Sequence, residues 1–383
     1  MIPETRILIT KFPFKASLSG VEKHTFSLVK NLEGKGVRFF LLASCPVMLS
    51  EFKKQGWPNQ RWWLGLAPET RGSKVTFLFS WPLLVLSSLI GLVYCRYKFK
   101  IEKLYCLGLT DKLIMTPVAL LLGYKVIWPE ALSIDPTLSN NIYRFLYKWW
   151  SSKVDVVAIS HFVKQELENL GVKDVIVIRH GVEPTIFKKQ EDLFEMMAEK
   201  RSVNYEKRNF TVGCVARLDE IKGLEYLIKA VDILKDKIPN IDLIIVGEGP
   251  QRKNLQWLTE TFRMGNKVKL VGYKDNFLDW IYDFDVFVLP SLKESLGITL
   301  IQAMACSKPV ISTLTGGIPE VVEHGKNGIL VEVGSPQALA KAILLLYKEK
   351  DIAQQFVEAG LRKVKSKFLL SEMLDEYKKV LLS

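Results

Sequence analysis

Cysteine is scarce in this chain: five among 383 residues (Cys45, Cys95, Cys106, Cys214 and Cys306), an odd number with no Cys-x-x-Cys pair. That argues against a disulfide framework and a thiolate zinc site, and for a reducing compartment. Histidine is scarcer still, and His24, His161, His180 and His324 fall at no metal-ligand spacing. There is no low-complexity run and no repeat of solenoid period. The first ten residues lack the basic-then-apolar layout of a secretion signal, so the protein reads as cytoplasmic.

What is present is the balance of a folded globular chain, 48% hydrophobic and 25% charged. Its length exceeds one ordinary core and fits two domains. The net charge of +12 is unevenly placed. Residues 1–180 hold 24 lysines and arginines against 13 aspartates and glutamates, a net of +11, which leaves +1 for the rest. A basic first half attracts anionic partners such as acidic lipid surfaces, phosphorylated acceptors or nucleic acid. A solvated basic face with no partner has the same composition.

Hydropathy patterning gives two series of strands and helices. Residues 6–10 form an apolar strand, followed by a loop with Ser19 and Gly20, a helix over 21–33 closed by Gly34 and Gly36, and a strand over 37–42. Apolar runs at 104–107, 126–128 and 154–159 alternate with helical patterns. They are apolar at both parities, as in a parallel sheet covered on both faces. After a polar connector at 188–208, a second series opens with strands at 210–215, 243–246, 268–270, 286–289, 310–312 and 328–331. Helices are expected between them, notably over 224–234 and 300–305. An amphipathic helix at 371–382 closes the chain and is expected to pack back on the first domain.

The expected fold is therefore α/β, with two Rossmann-like doubly wound domains facing across a cleft. The first covers 1–182 with 367–383, and the second 183–366. Residues 75–95 carry no charge, are long enough to span a bilayer, and have basic residues on both flanks. Strands of one sheet precede and follow them, and a span would separate those strands. A buried or interfacial helix is the expectation. Residues 140–150 mix aromatic and cationic groups (Tyr143, Arg144, Phe145, Tyr147, Lys148, Trp149, Trp150), which suits a membrane interface or a helix packed on the core.

Two stretches carry chemistry. Arg217, Lys222 and Gly223 follow a strand and open a helix. A guanidinium fork, a point charge and helix amides there can meet a diphosphate as negative charge builds on it. Ordinary surface ion pairs use the same residues. In the second, Glu294 on a strand-to-helix loop can accept hydrogen bonds from sugar hydroxyls. The amides of Leu296 and Gly297 can face phosphate, and Gln302 a ribose. A helix-capping carboxylate would look alike. Asp283 and Asp285 have metal-pair spacing but lead into a strand, and are read as structural.

Together these stretches resemble the glycosyltransferase family 4 pattern: Arg-Leu-x-x-x-Lys-Gly at 217–223, then Pro-Ser-x-x-Glu-Ser-x-Gly at 290–297. Gly247 and Gly249 with Pro250, and Thr315, Gly316, Gly317 and Glu320, add matching pieces. In the first half the match is thinner, at Ser19, Gly20 and His24 and at 158–160 and 179–183. The resemblance implies a GT-B fold and a retaining, hexosyltransferase-type enzyme. It implies transfer from a nucleotide-diphosphate sugar such as a UDP-sugar, without a bound metal or other cofactor. It implies Arg217, Lys222 and Glu294 as catalytic residues, and Gly20, Gly247, Gly249, Ser295, Leu296, Gly297 and Gln302 as donor-binding ones. His24 and Glu130 are candidates on the acceptor side.

Three positions depart from the family. The second glutamate of its pair is Gln302, its asparagine before Gly-Val is His180, and the histidine after the strand at 126–127 is absent. Trp128, Pro129 and Glu130 stand there instead. An amide can still accept from one ribose hydroxyl and donate to another. The charge and the aromatic segments lead to the expectation of a carbohydrate or lipid-linked acceptor, and of contact with an anionic membrane through the first half. That would place the protein on the inner face of the plasma membrane, in polysaccharide or lipopolysaccharide synthesis. A GT-B epimerase or phosphorylase, or a scaffold with a decayed site, shares the fold. A nucleic-acid binder would explain the charge and none of the motifs.

Overall fold

A computed structural model describes residues 4–12, 20–63, 71–131, 142–187 and 209–383, and for residues 71–78 the backbone alone. Ser19 and the connector at 188–208 lie outside the described residues. The chain divides into two compact units, Met1–Arg179 with Met373–Ser383, and His180–Glu372.

The first unit begins with β1 (Thr5–Lys11), followed by α1 (Gly20–Leu32), β2 (Val37–Ala43), α2 (Pro46–Lys54), β3 (Asn59–Arg61) and α3 (Arg71–Phe99). Then come β4 (Lys103–Cys106), α4 (Leu109–Leu121), β5 (Lys125–Glu130), α5 (Ile142–Ser151), β6 (Asp155–Ala158), α6 (His161–Leu170) and β7 (Ile176–Val177). The strands pair in parallel in the order β3-β2-β1-β4-β5-β6-β7. Consecutive residues of β2, from Phe39 to Ala43, are all buried, which is why the run is apolar at both parities. Local signals set the helix ends. Ser160 Oγ accepts from the Val163 amide at 3.2 Å to start α6, and Gly171, at φ +90°, ends it.

The second unit runs β8 (Phe210–Val215), a 3-10 turn (Glu220–Lys222), α7 (Leu224–Leu234), β9 (Ile241–Val246), α8 (Arg252–Thr261), β10 (Val268–Gly272) and α9 (Phe277–Asp283). It continues with β11 (Val286–Leu289), α10 (Ile298–Ala305), β12 (Val310–Thr313), α11 (Ile318–Val321), β13 (Ile329–Val331), α12 (Pro336–Lys348) and α13 (Lys350–Lys367). Its sheet is also parallel, in the order β10-β9-β8-β11-β12-β13. The closing helix, α14 (Leu370–Leu382), belongs to the first unit from Met373 onward. Asp285, next to α9, accepts the Thr211 amide at 2.7 Å and so ties β8 to the start of β11.

Where the strand order of the first unit reverses, between β1 and β4, a wholly buried carboxylate sits. Asp111 accepts from the Phe12 amide at 3.0 Å, and from the Gly108 amide and the Thr10 hydroxyl at 3.1 Å each. Burial raises its pKa from 3.8 to about 6, against those hydrogen bonds and Lys11, which lower it. The folded state thus binds more protons than the unfolded one between those values. The stability this group contributes is complete below 3.8 and is lost as pH rises through 6. Relative to an Asp111→Asn variant, the wild type should gain roughly 2 kcal/mol between pH 7 and pH 4. Urea unfolding of both proteins across that range tests the sign and the size.

Candidate active site

In a doubly wound sheet, ligands sit beyond the carboxyl ends of the strands that flank the reversal of order. In the second unit these strands are β8 and β11, and the loops leaving them carry the two motifs. The loops are joined through their backbones: the Leu292 amide donates to the Ile221 carbonyl at 2.8 Å. Gly223 turns at φ +58°, and a Cβ there would stand 2.3 Å from the Pro290 carbonyl oxygen, so no other residue allows this approach.

The joined loops bring Lys222 to Glu294, 72 residues apart in sequence, as an ion pair of 2.6 Å between Nζ and Oε2. Ser291 Oγ donates to the same carboxylate oxygen at 3.2 Å. The two charged side chains are 20% and 15% exposed, so the pair is partly shielded from water. Arg217 is different: its guanidinium is 53% exposed and pairs with Asp219 in its own loop. Both cations read as diphosphate ligands are therefore each paired with a carboxylate.

Glycines on two neighbouring loops set these positions. Gly247, at φ +149°, ends β9 so close to the β8 loop that a Cβ would lie 1.8 Å from the Ala216 carbonyl oxygen. A Cβ on Gly249 would lie 2.5 Å from that of Leu218, and Leu218 donates its amide to the Glu248 carbonyl at 3.0 Å. These two glycines, expected at the donor, here pack the loop that carries Arg217. After β12, Gly316 and Gly317 press on the Glu294 loop. Their Cβ atoms would fall 1.8 Å from the Glu294 carbonyl oxygen and 2.0 Å from that of Ser295. The hydroxyls of Thr313 and Thr315 donate to the carbonyls of Ser291 (2.5 Å) and Leu292 (3.1 Å).

Gly297, at φ +86°, caps α10, Leu296 beside it is buried, and Gln302 is half-buried one turn into that helix. Sequence reasoning gave no role to Ser291 or the two threonines. Ser291 stands inside the Pro-Ser pair of the second motif, and Thr315 opens the Thr-Gly-Gly piece, so the signal was present without a partner to give it meaning.

In the first unit, His24 and Glu130 share one small hollow with Pro129 and Tyr377. His24 Nε2 lies 2.9 Å from the Tyr377 hydroxyl of α14. The Glu130 carboxylate is engaged by Lys112 Nζ at 2.5 Å and by the Tyr147 hydroxyl, which donates to it. Burial, and then the Glu130 charge, push the Tyr147 phenol well above its ordinary range. Gly20 opens α1 and is exposed, and among the described residues nothing lies within 4 Å of where its Cβ would be.

Comparison with known proteins fits this geometry. The family model described as glycosyl transferases group 1 matches residues 196–363. The N-acetyl-alpha-D-glucosaminyl L-malate synthase of Bacillus anthracis is 27% identical over 252 residues, which is 65% of this chain and 64% of that enzyme. The lipopolysaccharide core biosynthesis glycosyltransferase LpsE of Rhizobium meliloti is 28% identical over 172 residues, 45% of this chain and 49% of its own. Among solved structures, Anabaena HepE in complex with UDP-glucose superposes with a TM-score of 0.79 at 18% identity, covering 99% of both chains. That likeness is one of fold, the GT-B architecture.

Proposed function

We propose that this chain, which belongs to the glycosyl transferases group 1 family of retaining GT-B enzymes, transfers a hexosyl group from a UDP-sugar to a lipid-linked or membrane-presented acceptor in cell-envelope polysaccharide synthesis. The observation that carries the reading is the Lys222–Glu294 ion pair at the carboxyl ends of β8 and β11, with Arg217 exposed beside it. A diphosphate competes with Glu294 for Lys222 and with Asp219 for Arg217. Freed of its cation, the Glu294 carboxylate becomes an acceptor for sugar hydroxyls, so donor binding arms the residue that orients the sugar. As the glycosidic bond breaks, charge grows on the leaving phosphate where the two cations already lie.

Retention follows from attack by the acceptor on the face the phosphate leaves, with that phosphate taking the acceptor's proton. His24 and Glu130 line the acceptor side in this reading. HepE and LpsE support the choice of UDP and of an envelope acceptor by similarity alone. Calorimetric titration of the purified protein with UDP, GDP and ADP tests the proposal. UDP should bind tightly and the others at least tenfold more weakly; a folded protein that binds none of them overturns it.

Gln302 offers a second test. A carboxylate in its place would accept charge-assisted bonds from both ribose hydroxyls, where the amide accepts one and donates to the other. The difference is about 1 kcal/mol. Gln302→Glu should therefore raise UDP affinity roughly fivefold, read in the same calorimeter.

A further inference from the structure

Helix α3 has two apolar faces, and the first unit uses one of them. At about 100° per residue, the buried Leu84, Ser88, Leu92 and Cys95 fall within roughly 80° of one another. α3 packs along α4, and on its buried side the Leu92 carbonyl accepts from the Tyr124 hydroxyl at 2.6 Å. Phe79, Leu83, Leu86, Ile90 and Tyr97 fall within roughly 60° on the opposite side, and all five are more than half exposed. They form a stripe about 27 Å long. A helix that is apolar all round is ordinarily enclosed by protein or by lipid.

We propose that this outer face of α3 is the surface by which the protein lies on an anionic bilayer. Charge selects the occupant. Residues 71–99 contain no aspartate or glutamate, while Arg71 and Lys74 stand at one end of the helix. Arg96, Lys98 and Lys100 at the other end are exposed, and residues 1–180 as a whole carry a net +11. An apolar stripe bounded by cations matches acyl chains beneath anionic headgroups. Topology makes the helix lie in the plane of the membrane rather than cross it. The strands on either side of α3, β3 and β4, belong to one continuous sheet through β2 and β1, so both ends of α3 return to the same body. Its inner face is already filled by protein.

The test uses sedimentation with sucrose-loaded vesicles of phosphatidylcholine, alone or with one third phosphatidylglycerol. Wild type should partition onto the anionic vesicles at least tenfold better than onto the neutral ones. Leu86→Ser/Ile90→Ser should lose at least tenfold of that binding while keeping UDP binding, whereas Phe145→Ser/Trp149→Ser on α5 should not. Equal or absent binding by wild type, or loss through the α5 variant alone, overturns the assignment. So does a lipid-free dimer, seen by sedimentation velocity, that only the α3 variant breaks. The vesicle assay needs neither donor nor acceptor, so its failure is separate from failure of the transferase reading.

Discussion

Arg217→Ala/Lys222→Ala should weaken UDP binding by about 10²–10⁴-fold, from two lost charge-assisted contacts, and should leave no measurable sugar transfer. The change removes more than two positive charges. With Lys222 gone, Glu294 keeps the Ser291 hydroxyl as a donor, and its carboxylate, 15% exposed, faces the incoming diphosphate as a like charge. Stability should fall by about 1–3 kcal/mol, chiefly because loss of Lys222 leaves the partly shielded Glu294 carboxylate without its cation. Arg217 is half exposed and its pair with Asp219 is screened by solvent, so its loss costs well under about 1 kcal/mol. Calorimetry with UDP beside thermal unfolding separates the two effects. A double variant that binds UDP as the wild type does would remove these residues from the donor site.

Gly316→Ala should be among the most damaging single methyls in the second unit. The new Cβ would stand 1.8 Å from the Glu294 carbonyl oxygen at a φ of +54°, so steric overlap and backbone strain act together. Relief requires the Glu294 loop or the loop after β12 to move, which opens the Lys222–Glu294 pair. We expect a loss of roughly 3 kcal/mol or more in stability and transfer activity reduced by at least about 10²-fold. Gly34→Ala is the control, because it shares a positive φ of +74° but has open space at the Cβ; it should cost about 1 kcal/mol. Equal effects at the two glycines would show that overlap at Gly316 is relieved without cost.

Much of this architecture is readable from the residues, and the exceptions have physical causes. The six strands of the second unit announce themselves as short, largely apolar runs; β8, β11 and β12 are buried at nearly every position, whereas β10 at the edge exposes Lys269. In the first unit, β3 is Asn59–Arg61, polar and wholly exposed at the sheet's edge, and β7 is two residues long. Neither has an apolar run to betray it. The stretch at 75–95 reads as a buried or interfacial helix, and α3 has one side buried and the other exposed. Motif spacing marks Lys222 and Glu294 separately. Their pairing is a long-range fact set by the β8-to-β11 crossing, which no local pattern encodes. Gly247 and Gly249 show the converse limit: a glycine in a motif says that backbone comes close, and the coordinates add that here it approaches the β8 loop.

The first unit is not contiguous in sequence: Met373–Ser383 completes it, with Met373, Tyr377 and Leu381 buried there and Tyr377 bonded to His24. A ribosome makes a chain in one direction, at about 5–20 residues per second. Residues 180–372 are therefore synthesised between the first piece of this unit and its last, a wait of roughly 10–40 s at that pace. The second unit is continuous and can close as soon as it emerges, so the half of the protein made first is the half that finishes folding last. Over that interval the first piece lacks Tyr377, whose hydroxyl meets His24 in the finished unit.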